Sequence, residues 1–175
     1  MTAAHEPELT FVVATDRIPT SGMTAQVTAD ARQCAAVAAR LKLPSVSRLS
    51  CDFALTRPLA GAARRREGEI VAVGRLRATL TRECVVSLDP FEIDVEEGFR
   101  VRFVPAGSEF DDADPESDDE IPYEGAGIDL GEAMVEQLAL VLDPYPRKPG
   151  AALPDEAGDG FEGPFAALTR LRRAD

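Results

Sequence analysis

The sequence predicts an α+β fold: a single domain built on a mainly antiparallel, twisted sheet of about five or six strands, free to curl toward a partial barrel and packed with two helices. Three observations predict it. Apolar and polar residues alternate through Ile70–Thr81, Phe91–Val95 and Phe99–Phe103, the period of a half-buried strand. Two stretches, 28–43 and 129–142, repeat apolar residues at helical spacing behind capping residues. At 175 residues the chain can bury one sizeable core but is short for two domains and a linker. The expected division is a domain over 1–150, with a mobile acidic loop at 107–127, and a flexible tail over 151–175.

In chain order, Leu9, Phe11 and Val13 suggest a first strand, ended near Ile18-Pro19 and the Ser21-Gly22 turn. A helix is expected next, with Thr28 as N-cap, an alanine-rich apolar face of Ala31, Cys34, Ala35, Val37, Ala38 and Leu41, and Pro44 as its stop. Residues 47–57 read as a strand burying Cys51, Phe53 and Leu55. After a basic loop the clearest strand points Ile70, Ala72, Gly74, Leu76, Ala78 and Leu80 inward and Val71, Val73, Arg75, Arg77, Thr79 and Thr81 outward. Asp89-Pro90 marks a break, and two further short strands follow, the second with Phe99, Val101 and Phe103 inward. The last helix has Asp129 as cap, Glu132 placed for a capping box, and Leu130, Met134, Leu138 and Val141 or Leu142 as its buried stripe. Asp143-Pro144 ends it, and the prolines to Pro149 are expected to direct the tail away, where Phe165 and Leu168 form a short docking segment.

The net charge is −12, and its distribution matters more than its size. Residues 106–143 carry 13 acidic groups and no basic one, whereas 61–105 carry 8 of each. The acidic loop, with Asp111, Asp112, Asp114, Glu116, Asp118, Asp119 and Glu120, reads as a solvated segment or as a contact for a basic partner. Repulsion of nucleic acid therefore applies to one segment and not to the whole surface. Arg75, Arg77, Arg100 and Arg102 fall on outward strand positions, and Arg64, Arg65, Arg66 and Arg82 lie in loops or strand ends beside them. If the strands are neighbours, these form a basic strip suited to phosphates. The alternative is cross-strand pairing with Glu69, Glu83, Glu92 and Asp94. No aromatic platform is interleaved with the arginines, which disfavours recognition of single-stranded bases.

Signatures of catalysis are missing. There is no glycine-rich phosphate loop, no G-x-S-x-G and no H-E-x-x-H, and the one histidine, His5, sits near the start of the chain. Three widely spaced cysteines, Cys34, Cys51 and Cys84, read as reduced thiols, with Cys84 the one conceivable nucleophile. The spacings of a zinc site or an EF-hand are not met, so neither metal nor cofactor is expected. No apolar run is long enough to span a bilayer, and the acidic N-terminus resembles neither a signal nor a transit peptide, which makes the cytoplasm the expected compartment.

Several segments taken in order carry a resemblance: G-x-L-x-A-T-L-T-x-x-C at 74–84, L-D-P-F at 88–91, IDLGE through PYPRKPG at 128–150, and GPFAALTRL near the end. Together they resemble the YceD-type large-ribosomal-RNA accumulation proteins. The resemblance implies a non-enzymatic part in accumulation or processing of large-subunit (23S) ribosomal RNA. Charge placement points to large-subunit rRNA, a basic large-subunit ribosomal protein, or both, as partner, and a monomer is expected. A thiol-dependent enzyme or regulator using Cys84, or an acidic interaction module unrelated to ribosomes, are the other readings. Many relatives carry C-x-x-C at the strand end; here Cys84 holds the first position and Ser87 the second, so a metal role is not implied for this chain.

Overall fold

The computed structural model describes residues 8–58, 68–108 and 119–152. Arg64, Arg65, Arg66, Asp111, Asp112, Asp114, Glu116, Asp118, His5, Phe165 and Leu168 lie outside the described residues.

The centre of the fold is a long antiparallel hairpin. Strands β4 (Ile70–Glu83) and β5 (Pro90–Pro105) keep one register from Ile70 opposite Phe103 to Glu83 opposite Pro90. The two short strands expected after Asp89-Pro90 are thus one. Glu96-Glu97-Gly98 interrupts the apolar alternation but not its parity, and backbone pairing to β4 carries the strand across the gap. Strand β3 (Ser45–Thr56) pairs antiparallel with the other side of β4, with a bulge between Val46 and Arg48. β2 (Met23–Thr28) then pairs with β3 as an edge strand.

β2 corrects the sequence reading. In MTAQVT only Val27 is fully buried, so the period is faint, and Thr28 ends the strand instead of capping the helix. Helix α1 (Ala31–Arg40) is capped by Asp30 in a reciprocal box with Gln33, at 2.8 and 2.9 Å. Its core contacts are Cys34, Val37 and Ala38, while Ala31 and Ala35 face out. The chain leaves α1 through a positive-φ turn at Lys42, two residues ahead of the expected stop at Pro44.

A second correction falls in the acidic loop, where β6 (Asp119–Tyr123) pairs parallel with the end of β5, from Val101 opposite Asp119 to Pro105 opposite Tyr123. Sheet order is β2-β3-β4-β5-β6, open at both edges and not closed into a barrel. β7 (Gly127–Asp129) forms a two-stranded ribbon with β1 (Val12–Ala14) and leads directly into α2 (Leu130–Val141). One oxygen of Asp129 accepts the amides of Gly131, Glu132 and Phe11, at 2.9, 3.2 and 2.9 Å, which fastens ribbon and helix together. The expected capping box at α2 is not made. Glu132 instead takes a bidentate bond from Arg40, at 2.6 and 2.8 Å, and Arg40 also reaches Glu8, so the two helices and the N-terminal segment share one cation.

Both helices bury their apolar sides on one face of the sheet, where Leu49, Phe53, Leu76, Leu80 and Phe103 meet Val37, Met134 and Leu138. Every inward residue expected on β4 is buried. Gly74 is required there by a close approach: a Cβ on it would stand 2.2 Å from Cζ of Phe99, whose ring lies over the strand and meets Phe53 edge to face at 5.8 Å.

Candidate functional site

The opposite face of the sheet is polar, and its register puts the outward arginines of β4 among carboxylates of both neighbours. Asp52 stands across from Arg75, and Glu96 across from Arg77. Arg75 binds Glu96 at 2.8 Å, while Arg77 binds Asp52 at 2.7 Å and lies 3.4 Å from Glu96. Arg77, and then Gln26 at 2.7 Å, hold the Asp52 carboxyl below the ordinary range for an aspartate. One row along, Asp94 accepts the hydroxyl of Thr79 at 2.6 Å with Arg48 at 3.8 Å. These groups remain in contact with solvent; the side chains of Arg75 and Arg77 are 63% and 44% exposed. Among the partners named from the sequence, Asp94 stands in this row, whereas Glu69 is buried just ahead of β4.

Arg100 also points outward on β5 and is exposed. Arg102 is different. It binds Glu120 of β6 at 2.8 Å with only 16% and 17% of the two side chains exposed. A residue expected to contact RNA and one expected to contact a basic partner thus pair with each other, in the strand register that sets Arg102 beside Glu120. Asp119, next to it, is exposed at the start of β6. Arg82 leaves the strip altogether: at an even position of β4 it shares the parity of Leu76 and Leu80, and it donates to the Asp143 carbonyl at 2.6 Å.

That bond belongs to a further contact the sequence did not foretell. The exit from α2 packs against the β4–β5 turn, with Pro146 buried and its carbonyl accepting Val85 N–H at 2.9 Å. The expectation that these prolines lead the chain straight away is corrected as far as Lys148. Cys84 sits at the junction, fully buried, its sulfur accepting the amides of Lys148 at 3.3 Å and Val86 at 3.4 Å. The Lys148 amide above all, with help from Ser87, pulls the thiol pKa down to about 7. Burial pushes Cys51 the other way, to about 12. The surroundings of Cys84 do not suit a metal, since amide donors cannot be ligands and Ser87 stands where a second thiol would be needed; among the described residues no group of three or more His, Cys, Asp or Glu is placed to hold one.

Shallow depressions also lie among the described residues. One of about 470 Å³ lies on the polar face over Ala54, Val73 and Gly74, beside Arg75 and Asp52. Another, about 310 Å³, lies between β6 and α2, with Ile121 and Tyr123 beneath Glu124, Glu132 and Glu136. Burial, and then the charge of Glu132, raise the carboxyl pKa of Glu136.

An open α+β sheet with one face under two helices and the other laced with ion pairs defines the class. The chain belongs to the family described as large ribosomal RNA subunit accumulation protein YceD, whose model matches residues 72–168. The match takes in nearly all of the β4–β5 hairpin, β6, β7, α2 and its exit, including the hairpin turn and the α2 exit that meet around Cys84. No curated protein and no solved structure matches the chain. The family's description links it to accumulation of the large ribosomal RNA and names no reaction. Among the described residues no helix is long and apolar enough to cross a membrane.

Proposed function

We propose that this chain supports accumulation of 23S ribosomal RNA without catalysis, as a binding factor whose direct ligand is a basic protein of the large ribosomal subunit. The observation that carries the reading is the state of the arginines. Arg75, Arg77 and Arg102 each have a carboxylate within 2.8 Å, so phosphates would have to displace internal partners. The unmatched charge is negative, concentrated over 106–143, and suits a lysine- and arginine-rich partner steered by long-range attraction.

Direct contact with RNA is the second reading, favoured by the exposure of Arg75 and Arg77. Purifying the tagged chain at low salt, with and without ribonuclease, separates the two. A basic large-subunit protein that stays bound after ribonuclease treatment supports the first, and its loss while RNA remains bound to the untreated sample would overturn it. In a deletion strain the ratio of large to small ribosomal RNA falls; an unchanged ratio means the chain acts elsewhere. Complementation with Cys84→Ser restores the ratio, against the thiol-dependent alternative.

A further inference from the structure

β6 covers β5 only from Val101 to Pro105, and no described strand pairs with that side of β5 between Pro90 and Arg100. Cys84 donates to the Asp89 carbonyl at 2.9 Å, which makes the odd residues of β5 the ones bonded to β4 in the antiparallel ladder. The amides and carbonyls of Glu92, Asp94, Glu96 and Gly98 therefore point to the open side. Pro90 falls in the same set, where a missing N–H costs the hairpin nothing. On the helix-covered face this stretch carries Phe91, Ile93 and Val95, all only half-buried. On the polar face it carries Glu92, Asp94 and Glu96, with no base between Pro90 and Arg100; Asp94 and Glu96 also bind Thr79 and Arg75 of β4 but keep 79% and 55% of their side chains exposed, open to a second cation.

We infer that the open edge of β5 receives an extended, lysine- or arginine-bearing segment of a partner protein as an added antiparallel strand. The segment's basic side chains lie over the Glu92–Asp94–Glu96 row and its alternate apolar ones extend the Phe91–Ile93–Val95 row. Backbone pairing supplies affinity and the two side-chain rows supply selection. Acidic residues on an exposed edge protect it from like strands. That protection is one-sided, since it leaves the edge open to an unlike strand. A second copy of the chain would set its own acidic row against this one, and the acidic stretch 109–118 is a poor occupant for the same reason. The inference names the docking place for the basic partner proposed above and rests on that reading.

The test uses the full chain and a synthetic decapeptide of alternating lysine and valine. Amide exchange of Glu92, Asp94, Glu96 and Gly98 is expected to be fast in the free chain and slowed by the peptide. Methylating the lysine amides, which face β5 when the strand is antiparallel and the lysines lie over the acidic row, should weaken binding by at least about tenfold, whereas methylating the valine amides should change it by no more than about twofold, and the reverse order would overturn the antiparallel docking. Equal binding by both methylated peptides would mean attraction by charge alone and would overturn the inference. So would protection of these amides in the free chain, which would show the edge already covered, or protection that grows with protein concentration. Failure here is distinct from failure of the functional reading: a ribonuclease-resistant basic partner alongside an indifferent β5 edge keeps the function and moves the docking place. Strand addition to β5 in a chain whose deletion leaves ribosomal RNA unchanged does the reverse.

Discussion

The two faces of β4 differ in what they require of their neighbours. Inward residues such as Leu76 and Leu80 are wholly buried, and shape decides what fits beside them. Outward residues such as Arg75 and Arg77 stay in contact with water; Arg75 binds a carboxylate of β5, and Arg77 binds one from β3 and lies near one of β5. Burial is worth about 25 cal/mol per Å² of apolar surface, whereas an exposed ion pair is worth about 0.2–1 kcal/mol. The inner face therefore determines the fold, and the outer face is free to vary with function.

The largest expected effect comes from breaking the inner face. Phe103 is 1% exposed and pairs with Ile70 at the end of the hairpin. Phe103→Ala should lower stability by about 3–5 kcal/mol through lost transfer energy and a cavity. Urea unfolding checks it. A loss below about 1 kcal/mol would mean the inner row collapses around gaps and is less decisive than its burial indicates.

Glu120→Ala tests the point at which the outer face becomes structural. Removing this carboxylate leaves Arg102, only 16% exposed, without it at the β5–β6 junction, at an expected cost of about 1–3 kcal/mol and with faster amide exchange in β6. A neutral result would return Glu120 to the residues available to a partner. Gly74→Ala should cost about 1–2 kcal/mol, because the Phe99 ring must move off the strand and away from Phe53.

Legibility follows the same division. The inward row of β4 was readable because period two and burial coincide at each position from Ile70 to Leu80. β2 was hidden because its threonines, alanine and glutamine leave no strong alternation, and its pairing with β3 is a matter of backbone. β6 was hidden by charge: a run of acids gives no local reason to order, and the reason lies in Arg102 and the edge of β5. Parity already separated Arg82 from Arg75 and Arg77 within the sequence, so that grouping failed on a rule available without a structure. The meeting of the α2 exit with the β4–β5 turn had no such signal, because its contacts join residues about sixty apart through main-chain amides.

Cys84 continues the inward parity of β4 into the turn, and its effect should show as a pH dependence. The folded pKa is about 7 against 9.0 for an unperturbed thiol. A depressed pKa means that the fold binds the thiolate more favourably than the unfolded chain does. This contribution is fully present above pH 9 and disappears as the pH falls through 7. Stability of the parent relative to Cys84→Ser should therefore rise between those limits in chemical unfolding under reducing conditions. A parallel pH course for the two proteins would mean that the Lys148 and Val86 amides do not favour the thiolate.

The smallest effect is expected from the outer pair itself, and it is the one that most sharpens the contrast between the faces. Arg75 and Glu96 are 63% and 55% exposed, so each loses little water in pairing and each gives up side-chain freedom to do so. A double-mutant cycle of Arg75→Ala and Glu96→Ala should give a coupling of about 0.2–1 kcal/mol that shrinks as salt is raised. Arg77 complicates the cycle usefully, because it also lies 3.4 Å from Glu96 and can take up the carboxylate when Arg75 is removed. The coupling should grow when the cycle is repeated in an Arg77→Ala background. A coupling well above 1 kcal/mol in the parent would mean that the row holds the hairpin together, and the outer face would then be too costly to rearrange for a partner.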